Sequence, residues 1–385
     1  MNEIDQATSH ARAHAASVVV TEDDAGERAD VVLGRRIPGL SRRVARSLAL
    51  EGKLRVDGQR RPPSTRVEAG ARLELALAPP AETAPAPALL ETLAAVVDAP
   101  LALTADFIYV HKPAGVHSVA LTPAQPGVLA TAVAQRWPEC AAASPDPREA
   151  GAVHRLDRPT SGVLAFARSE AAWSRAREAF SDERVAKHYL AVSRVLGAPE
   201  WPPPLPPEGL QGWIEPAPDE SEQALASPLA AALGELLARG ASQPLDRPPI
   251  RVRAPLGRGP SAHTSAVRLD GRRARTVVCP LATTGQHELL RLRLETGRRH
   301  QARVHLAWIG RPILGDRLYG PGTVFAHTRA GAASGPEMGE AAHAIALHAF
   351  AIDLSAAFPD EAPVLAPPIS NFWPPPETPS PNRSC

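Results

Sequence analysis

The sequence predicts a chain that folds into at least two domains, each containing both helices and strands. Five consecutive apolar residues at 163–167 are typical of a buried strand, and the alternation of leucine with arginine at 289–294 is typical of a strand buried on one face. A capping serine, Ser169, precedes a run with helical spacing. A chain of 385 residues is also long enough to form more than one hydrophobic core.

Charge is distributed unevenly along the chain, although the net formal charge is only +1. Lys and Arg outnumber acids in residues 28–66 and 251–305, whereas acids outnumber Arg in residues 196–249. This separation predicts two basic surfaces and one acidic, solvated segment. The net charge by itself gives no argument for a nucleic-acid partner.

Cysteine usage and hydropathy bear on metal binding and location. Cys140, Cys279 and Cys385 lack the spacing of a metal or redox motif, so we expect no metal site and a reducing compartment. Residues 1–16 have no apolar core of the signal-peptide type, and no run approaches the ~18 apolar residues that span a bilayer. We therefore expect a cytoplasmic protein without membrane contact, and we expect a monomer.

Composition divides the chain into modules. Residues rich in Ala and Pro predict a semi-rigid linker, and a Pro-rich acidic stretch predicts a disordered or loosely packed insertion with helical spacing only at 229–237. The predicted order is a flexible tail at 1–20, a small module at 21–78, the linker at 79–100, a larger domain at 101–369 with the insertion at 197–249, and a flexible tail at 370–385.

The small module combines a basic helix with a hairpin. Ser41 is a candidate N-cap, and the helix after it carries Arg42, Arg43 and Arg46. Asp57-Gly58 follows a short alternating run and predicts a tight turn between two strands. The three arginines are candidates for phosphate binding, although a solvated basic face explains such a cluster equally well.

The most informative stretch is residues 154–162, which lead directly into the buried strand at 163–167. Asp157 stands in this loop between Arg155 and Arg158. A carboxylate on a loop held by a rigid scaffold is often catalytic. From these residues alone, the favoured interpretation is an Asp that accepts hydrogen bonds from local backbone N–H groups in a turn.

These nine residues resemble the signature loop of the RluA-type pseudouridine synthases, His-Arg-Leu-Asp-x-x-Thr-Ser-Gly, at every fixed position. The similarity continues in a Lys-Pro-x-Gly segment and in three later motifs, with Arg299 where that family has Thr or Ser. These segments are residues 112–115, 294–305, 310–320 and 347–349. Residues 27–75 are similar to a small RNA-binding fold shared by a small-subunit ribosomal protein and tyrosyl-tRNA synthetase, with Ala29 and Asp57 as departures.

The resemblance implies a fold, an activity and a partner. The fold would be α+β, with a large mixed, mostly antiparallel sheet, flanking helices and a basic cleft, plus the small N-terminal RNA-binding module. The activity would be the isomerisation of uridine to pseudouridine in ribosomal or transfer RNA, without a cofactor. The alternative is a catalytically silent RNA-binding or ribosome-assembly protein with the same fold, which would have lost Asp157, Tyr189 or Arg303; all three are present.

The resemblance also implies residue roles. Asp157 would be the catalytic carboxylate, and Arg303 would pair with it and keep it ionised. Tyr189 would stack on a flipped uracil, and whether its hydroxyl also assists removal of the ring proton is left open by the sequence. One carboxylate suffices because the leaving base is itself the group that attacks. The ordinary alternatives are a core tyrosine and an arginine that bridges to Glu295 or Asp316.

A second set of residues is expected to bind the RNA. Arg155 would fill the stack that the flipped base vacates, although a surface ion pair is its ordinary alternative. The full set is Arg155, His154, Thr160, Lys187, Arg298 and His300, together with Arg42, Arg43 and Arg46. A kinase-like use of the His-Arg-x-Asp loop is excluded because no Gly-rich nucleotide loop precedes it.

Overall fold

The computed structural model describes most of the chain in segments. The described residues are 15–38, 40–50, 52–76, 85–121, 125–194, 213–217, 227–238, 243–261, 263–284, 287–320, 344–368 and 372. They form two compact units, one of residues 1–87 with 122–126 and one of residues 88–121 with 127–385.

The N-terminal unit packs two helices on a four-stranded antiparallel sheet. Its elements are β1 (Ala15–Val19), α1 (Ala29–Arg36), α2 (Arg42–Leu50), β2 (Leu54–Val56), β3 (Gln59–Arg60) and β4 (Arg72–Ala76), with the strand order β1-β4-β2-β3. The two helices approach closely at Gly34, where a Cβ would lie only 2.7 Å from the Arg42 Cα. Leu33, Leu54 and Leu73 are fully buried in its core.

Two local features of this unit were predicted with different success. The Asp57-Gly58 turn is confirmed, since both residues have positive φ (50° and 77°) and join β2 to β3. The prediction of a flexible tail at 1–20 was wrong for residues 15–20, because β1 pairs with β4 and Val20 is buried. Residues 1–14 lie outside the described residues.

The second unit is built on one large sheet with helices around it. Its helices are α3 (Pro87–Asp98), α4 (Leu129–Arg136), α5 (Pro138–Ala142), α6 (Glu170–Ser181), α7 (Ser227–Ala238) and α8 (Gln301–Trp308). Its strands are β5 (Ala102–Leu103), β6 (Phe107–Lys112), β7 (Ser161–Ala167), β8 (Ala186–Arg194), β9 (Ile214–Pro216), β10 (Gln243–Pro244), β11 (Ile250–Val252), β12 (Leu256–Arg258), β13 (Ser265–Val267), β14 (Thr276–Thr284), β15 (His287–Leu294), β16 (Leu347–Asp353) and β17 (Val364–Leu365).

The topology of the large sheet confirms the predicted class. The strand order is β5-β6-β7-β16-β8-β15-β14-β11-β9, with β10 beside β14, β17 beside β16, and β12-β13 as a separate ribbon. The β7–β16 pair is parallel and the other strand pairs of the described residues are antiparallel. The unit is therefore α+β with a mixed, mostly antiparallel sheet. All seven residues of β7 are buried, as the apolar run at 163–167 predicted.

The linker predicted at 79–100 was wrong for its second half. α3 occupies residues 87–98, and its Leu93 and Val97 are buried in the main core of the second unit. Pro87 stands at the first helical position, where proline is tolerated because that N–H has no intrahelical acceptor. Residues 79–84 lie outside the described residues.

The insertion at 197–249 contributes to the second unit wherever it is described. The predicted helix is confirmed as α7, which buries Leu229 and Leu233 in one cluster with Phe350 of β16. β9 pairs with β11, and β10 pairs with β14. The prediction of loose packing was therefore wrong for these parts. Residues 195–212, 218–226 and 239–242 lie outside the description, as do 369–371 and 373–385 of the predicted C-terminal tail, whereas Phe372 is buried.

Candidate active site

A buried lysine at the end of β6, Lys112, holds the signature loop of residues 154–162 in place through hydrogen bonds to its backbone. Lys112 is fully buried, and its Nζ donates to the carbonyl oxygens of Pro113, Arg158 and Thr160 at 2.8, 3.1 and 2.7 Å. Burial lowers the pKa of Lys112 to about 7, against the opposite effect of the Asp157 charge. The Lys-Pro-x-Gly segment therefore serves as the support of the loop that carries Asp157.

Further hydrogen bonds join the same two segments. The Gly115 N–H donates to the Arg158 carbonyl at 2.8 Å, and Arg158 Nε donates to the Gly115 carbonyl at 2.9 Å. The Ser118 hydroxyl donates to the Leu156 carbonyl and accepts from the Leu156 N–H. Because the residues on both sides of Asp157 are held in this way, the position of its Cα is well defined while its side chain stays 26 % exposed.

Asp157 and Tyr189 are brought together by three adjacent strands of the sheet, β7, β16 and β8. Gly162 of β7 and Tyr189 of β8 both pair with Ala349 of β16, one on each side. Gly162 has φ 121°, and a Cβ there would lie 2.2 Å from the Ala349 carbonyl oxygen, so only glycine fits. Tyr189 is 8 % exposed, and its pKa is raised by burial and by the negative charge of Asp157.

Two groups from the start of α8 face the Asp157 carboxylate. Arg303 Nη1 is 3.8 Å from Asp157 Oδ2, and His300 Nε2 is 4.0 Å from Asp157 Oδ1. Both distances exceed a hydrogen bond, so the two groups act on the carboxylate through charge and dipole while leaving its lone pairs available.

The predicted Asp157–Arg303 pair exists only as this longer contact. The main partner of Arg303 is Asp316, to which Nε and Nη2 donate at 2.7 and 2.8 Å. Both side chains are buried. Burial alone would lower the pKa of Arg303, but the hydrogen bonds and charge of Asp316, with a smaller effect of Asp157, raise it. The alternative weighed from the sequence, a bridge to Asp316, is therefore the stronger contact.

The turn that contains Asp316 also holds His300. Asp316 Oδ1 accepts from the backbone N–H groups of Leu318 and Tyr319. The Tyr319 hydroxyl accepts from the Ser265 N–H at 2.8 Å and is hydrogen-bonded to His300 Nδ1. The Arg303 guanidinium lies over the Tyr319 ring, 4.9 Å from its centroid.

The other predicted binding residues are distributed around this centre. Arg155 is exposed beside Asp157. Thr160 is buried, and its carbonyl accepts from Lys112. Lys187 is buried, 3.4 Å from the Thr296 carbonyl oxygen, and burial lowers its pKa to about 8. Arg298 donates to the Arg273 carbonyl at 2.9 Å.

His154 has the environment of a structural residue. Its Nε2 accepts from the Ala165 N–H at 3.2 Å, and its ring stacks on Phe180 at 5.2 Å between centroids. Burial lowers its pKa to about 3, so the ring stays neutral. These contacts lock the start of the signature loop onto β7 and α6 and give no support to direct contact with substrate.

Two of the three arginines expected to bind RNA from the N-terminal unit are described with their side chains. Arg42 is 58 % exposed, with its Nε 3.8 Å from the buried carboxylate of Asp30, and Arg46 is exposed. The Arg43 side chain lies outside the described part of the chain.

Part of the positive charge predicted for residues 251–305 is neutralised within the protein. Glu295 lies 2.9 to 3.1 Å from the guanidinium nitrogens of Arg251, Arg275 and Arg293. Arg251 also pairs with Glu215 of the insertion at 3.2 Å. The basic surface expected from composition is therefore reduced by Glu295 within the same stretch and by Glu215 of the insertion.

Three residues that contact the candidate site were not assigned to it from the sequence. Lys112 and Tyr319 lie in motifs that were recognised, but neither was assigned to the site, and Asp316 was considered only as an ordinary partner of Arg303. Tyr319 carried a signal, since it is one of only three tyrosines in the chain.

The described residues contain neither a membrane-spanning helix nor a metal cluster. None of their helices is long and apolar enough to cross a membrane, and among them no group of three or more His, Cys, Asp or Glu side chains is arranged to hold a metal ion.

Comparison with known proteins places this site in a family. The sequence model described as RNA pseudouridylate synthase matches residues 106–308, and the S4 domain model matches residues 27–73. An uncharacterized RNA pseudouridine synthase of Chloroflexus aurantiacus is 33% identical over 307 residues, 79% of this chain and 78% of that protein. The ribosomal large subunit pseudouridine synthase D of Xanthomonas campestris is 34% identical over 310 residues, 78% of this chain and 74% of that protein.

Among solved structures, human RNA pseudouridylate synthase domain containing 1 overlaps 72% of this chain and 84% of its own, at 21% identity and a TM-score of 0.42, a level of overlap that adds no argument of its own. The family model and the two relatives are sufficient. The chain belongs to the RNA pseudouridylate synthases and carries an S4 domain, as its resemblance to the RluA-type signature predicted.

Proposed function

We propose that this protein isomerises specific uridines of large-subunit ribosomal RNA to pseudouridine, with Asp157 as the catalytic carboxylate. The observation that carries the proposal is the placement of Asp157: a partly exposed carboxylate on a rigid loop at the head of buried β7, faced by Arg303 and His300 at 3.8 and 4.0 Å. The choice of RNA is supported by the name of the Xanthomonas relative, ribosomal large subunit pseudouridine synthase D.

The reaction needs one carboxylate and no external reagent. The bond from ribose C1′ to uracil N1 breaks with its electrons going to the base, the base turns, and C5 forms a new bond to C1′. C5 then loses its proton and N1 gains one, so the product is an isomer of the substrate. Asp157 stabilises the positive charge that develops at C1′, and the Arg303 guanidinium, 3.8 Å away, helps hold the carboxylate in place for this role.

Tyr189 acts as a stacking surface in this proposal. Its pKa is raised by burial and by Asp157, which disfavours the tyrosinate form that removal of the C5 proton would need. A uridine within a helix must be flipped out before its glycosidic bond is accessible, and an aromatic ring beside the carboxylate gives the flipped base a partner. Arg155, exposed next to Asp157, fills the vacated stack.

Phosphate contacts position the RNA over this centre. Arg298 is a candidate in the catalytic unit, where the predicted Lys187 is buried, and Arg42, Arg43 and Arg46 are candidates in the S4 unit. We further propose that the enzyme acts as a monomer, because one chain supplies the S4 unit and every catalytic candidate. Cys140 and Cys279 are buried and form no disulfide within the part of the chain that the structure describes, which supports a reducing compartment such as the cytoplasm.

The test compares Asp157→Asn with a control, Asp270→Asn, whose carboxylate is 72 % exposed in an ion pair with Arg268. Tritium at uracil C5 is released to water when C5 loses its proton, so ribosomal RNA carrying this label reports each turnover. We expect release with the wild type and Asp270→Asn, none with Asp157→Asn, and equal RNA binding by all three. Release by Asp157→Asn would overturn the catalytic assignment, and release from transfer RNA alone would overturn the choice of substrate.

A further inference from the structure

His300 stands between the catalytic carboxylate and a buried tyrosine. Its Nε2 faces Asp157 Oδ1 at 4.0 Å, and its Nδ1 is hydrogen-bonded to the Tyr319 hydroxyl. The residue precedes α8 in a left-handed backbone conformation with φ 57°, and its side chain is 11 % exposed. The ring therefore has one nitrogen for each neighbour.

The contact that His300 makes with Asp157 depends on which of its two ring nitrogens carries the proton. Burial lowers the pKa of His300 to about 4, against the opposite effect of Asp157, so the imidazole is neutral at pH 7 and carries a single N–H. If that N–H is on Nε2 it points at the carboxylate, and if it is on Nδ1 the carboxylate faces a lone pair.

The surroundings of Tyr319 decide between the two tautomers. Its oxygen already accepts from the Ser265 N–H at 2.8 Å. Its pKa is raised to about 12, mainly by burial, so the hydroxyl keeps its proton and needs an acceptor. Among the described contacts of this hydroxyl, that acceptor is His300 Nδ1.

The opposite tautomer is unfavourable on two counts. A proton on Nδ1 leaves the buried hydroxyl hydrogen of Tyr319 without an acceptor among its described contacts, and an unsatisfied buried donor is unfavourable. It also turns the Nε2 lone pair toward the negative oxygen of Asp157. Both effects favour the form with its proton on Nε2.

We propose that Tyr319 is a positioning residue that holds His300 in the Nε2–H tautomer, and that this N–H orients the Asp157 carboxylate for attack or charge stabilisation at the sugar. The first half concerns the free protein alone. The second half rests on the proposed function. Tyr319 and His300 thus act through Asp157 and need not touch the RNA.

The tautomer is measured by long-range ¹H–¹⁵N NMR spectra of the full-length protein labelled with ¹⁵N-histidine. The His300 signals are assigned by their loss in His300→Gln. We expect the nitrogen shifts of a neutral ring protonated on Nε2, and a shift toward a mixture of tautomers in Tyr319→Phe. A wild-type ring protonated on Nδ1, or unchanged shifts in Tyr319→Phe, would overturn the first half.

The effect on chemistry is tested with a matched pair of amides. The amide nitrogen of His300→Gln reaches the Nε2 position, whereas that of His300→Asn reaches the Nδ1 position. Because the dipole of the Nε2–H faces a charged carboxylate at 4.0 Å, we expect single-turnover rates about 10-fold lower for Asn than for Gln, with equal RNA affinity. Asparagine tolerates positive φ better than glutamine, so backbone strain works against this order and cannot produce it.

The possible outcomes separate this inference from the proposed function. If Asn equals or exceeds Gln in rate while Asp157→Asn is inactive, the role of the Nε2–H is refuted and the proposed function stands. If Asp157→Asn is active, the proposed function fails, and the NMR result still decides the tautomer. Thermal melts of each variant identify any that do not fold, and Tyr319→Phe then provides the second measurement of rate.

Discussion

Replacing Asp316 by alanine should destabilise the catalytic unit far more than removing a surface acid. The Asp316 carboxylate is fully buried and accepts two hydrogen bonds from Arg303 and two from the backbone N–H groups of Leu318 and Tyr319. Removing one partner of a buried pair costs about 3–5 kcal/mol, because the remaining charge is uncompensated. Asp157, 3.8 Å from Arg303, offsets part of this, so we expect about 3 kcal/mol.

Urea unfolding followed by circular dichroism measures this change in the free energy of unfolding. Asp316→Asn should fall between wild type and Asp316→Ala, because its carbonyl still accepts from the backbone N–H groups. The control is Asp270→Ala, since the Arg268–Asp270 pair is 36 % and 72 % exposed and such pairs contribute about 0–1 kcal/mol. A loss of stability for Asp316→Ala as small as that of Asp270→Ala would refute the view that this pair holds the site together.

Three further outcomes are expected. His305 and His348 are fully buried, and burial lowers their pKa values to about 4, below the usual 6.5. Between pH 6.5 and 4 the unfolded chain therefore binds more protons than the folded protein, so the free energy of unfolding should fall as the pH drops through this window. Unfolding curves measured at several pH values should show a loss of up to about 3 kcal/mol for each histidine. Leu229→Ala and Leu233→Ala, on the buried face of α7, should each cost about 2–5 kcal/mol in the same assay, and a cost below 1 kcal/mol would show that α7 is dispensable. Deleting residues 1–84 should weaken RNA binding and lower the slope of log affinity against log salt by about one for each phosphate that the S4 unit binds. The single-turnover rate at saturating enzyme should persist. Loss of that rate in a folded truncation would contradict the assignment of catalysis to the second unit alone.

Much of the fold could be predicted because local pattern and tertiary demand agree in this chain. The apolar run at 163–167 is buried on both faces of the sheet, and the Asp57-Gly58 turn needs only the positive φ that these residues tolerate. α3 was missed because prolines and alanines dominate its surroundings. Its apolar residues Leu93 and Val97 have helical spacing, but the Ala and Pro content of residues 79–100 is typical of a linker and obscures that spacing.

The candidate site divides in the same way. Asp157 and Tyr189 were predictable because each stands in a motif beside a strong strand signal, and the sheet then brings them together. The partner of Arg303 was not predictable, because Asp157 and Asp316 are both acids at plausible positions and the sequence carries no information on which carboxylate meets two guanidinium nitrogens. Packing decides this, since Asp316 is fully buried and Asp157 is partly exposed.

The division of Arg303 between two carboxylates suits the proposed chemistry. If Arg303 donated two hydrogen bonds to Asp157, the lone pairs of that carboxylate would be engaged and less available to the sugar carbon. Asp316 takes both hydrogen bonds instead and keeps the guanidinium fixed, with Nη1 3.8 Å from Asp157. At that distance the Arg303 charge still acts on the carboxylate, because a partly buried pair is only weakly screened. The Asp157 oxygens thus face a fixed positive charge and keep their lone pairs available, whereas a direct bidentate pair would engage them.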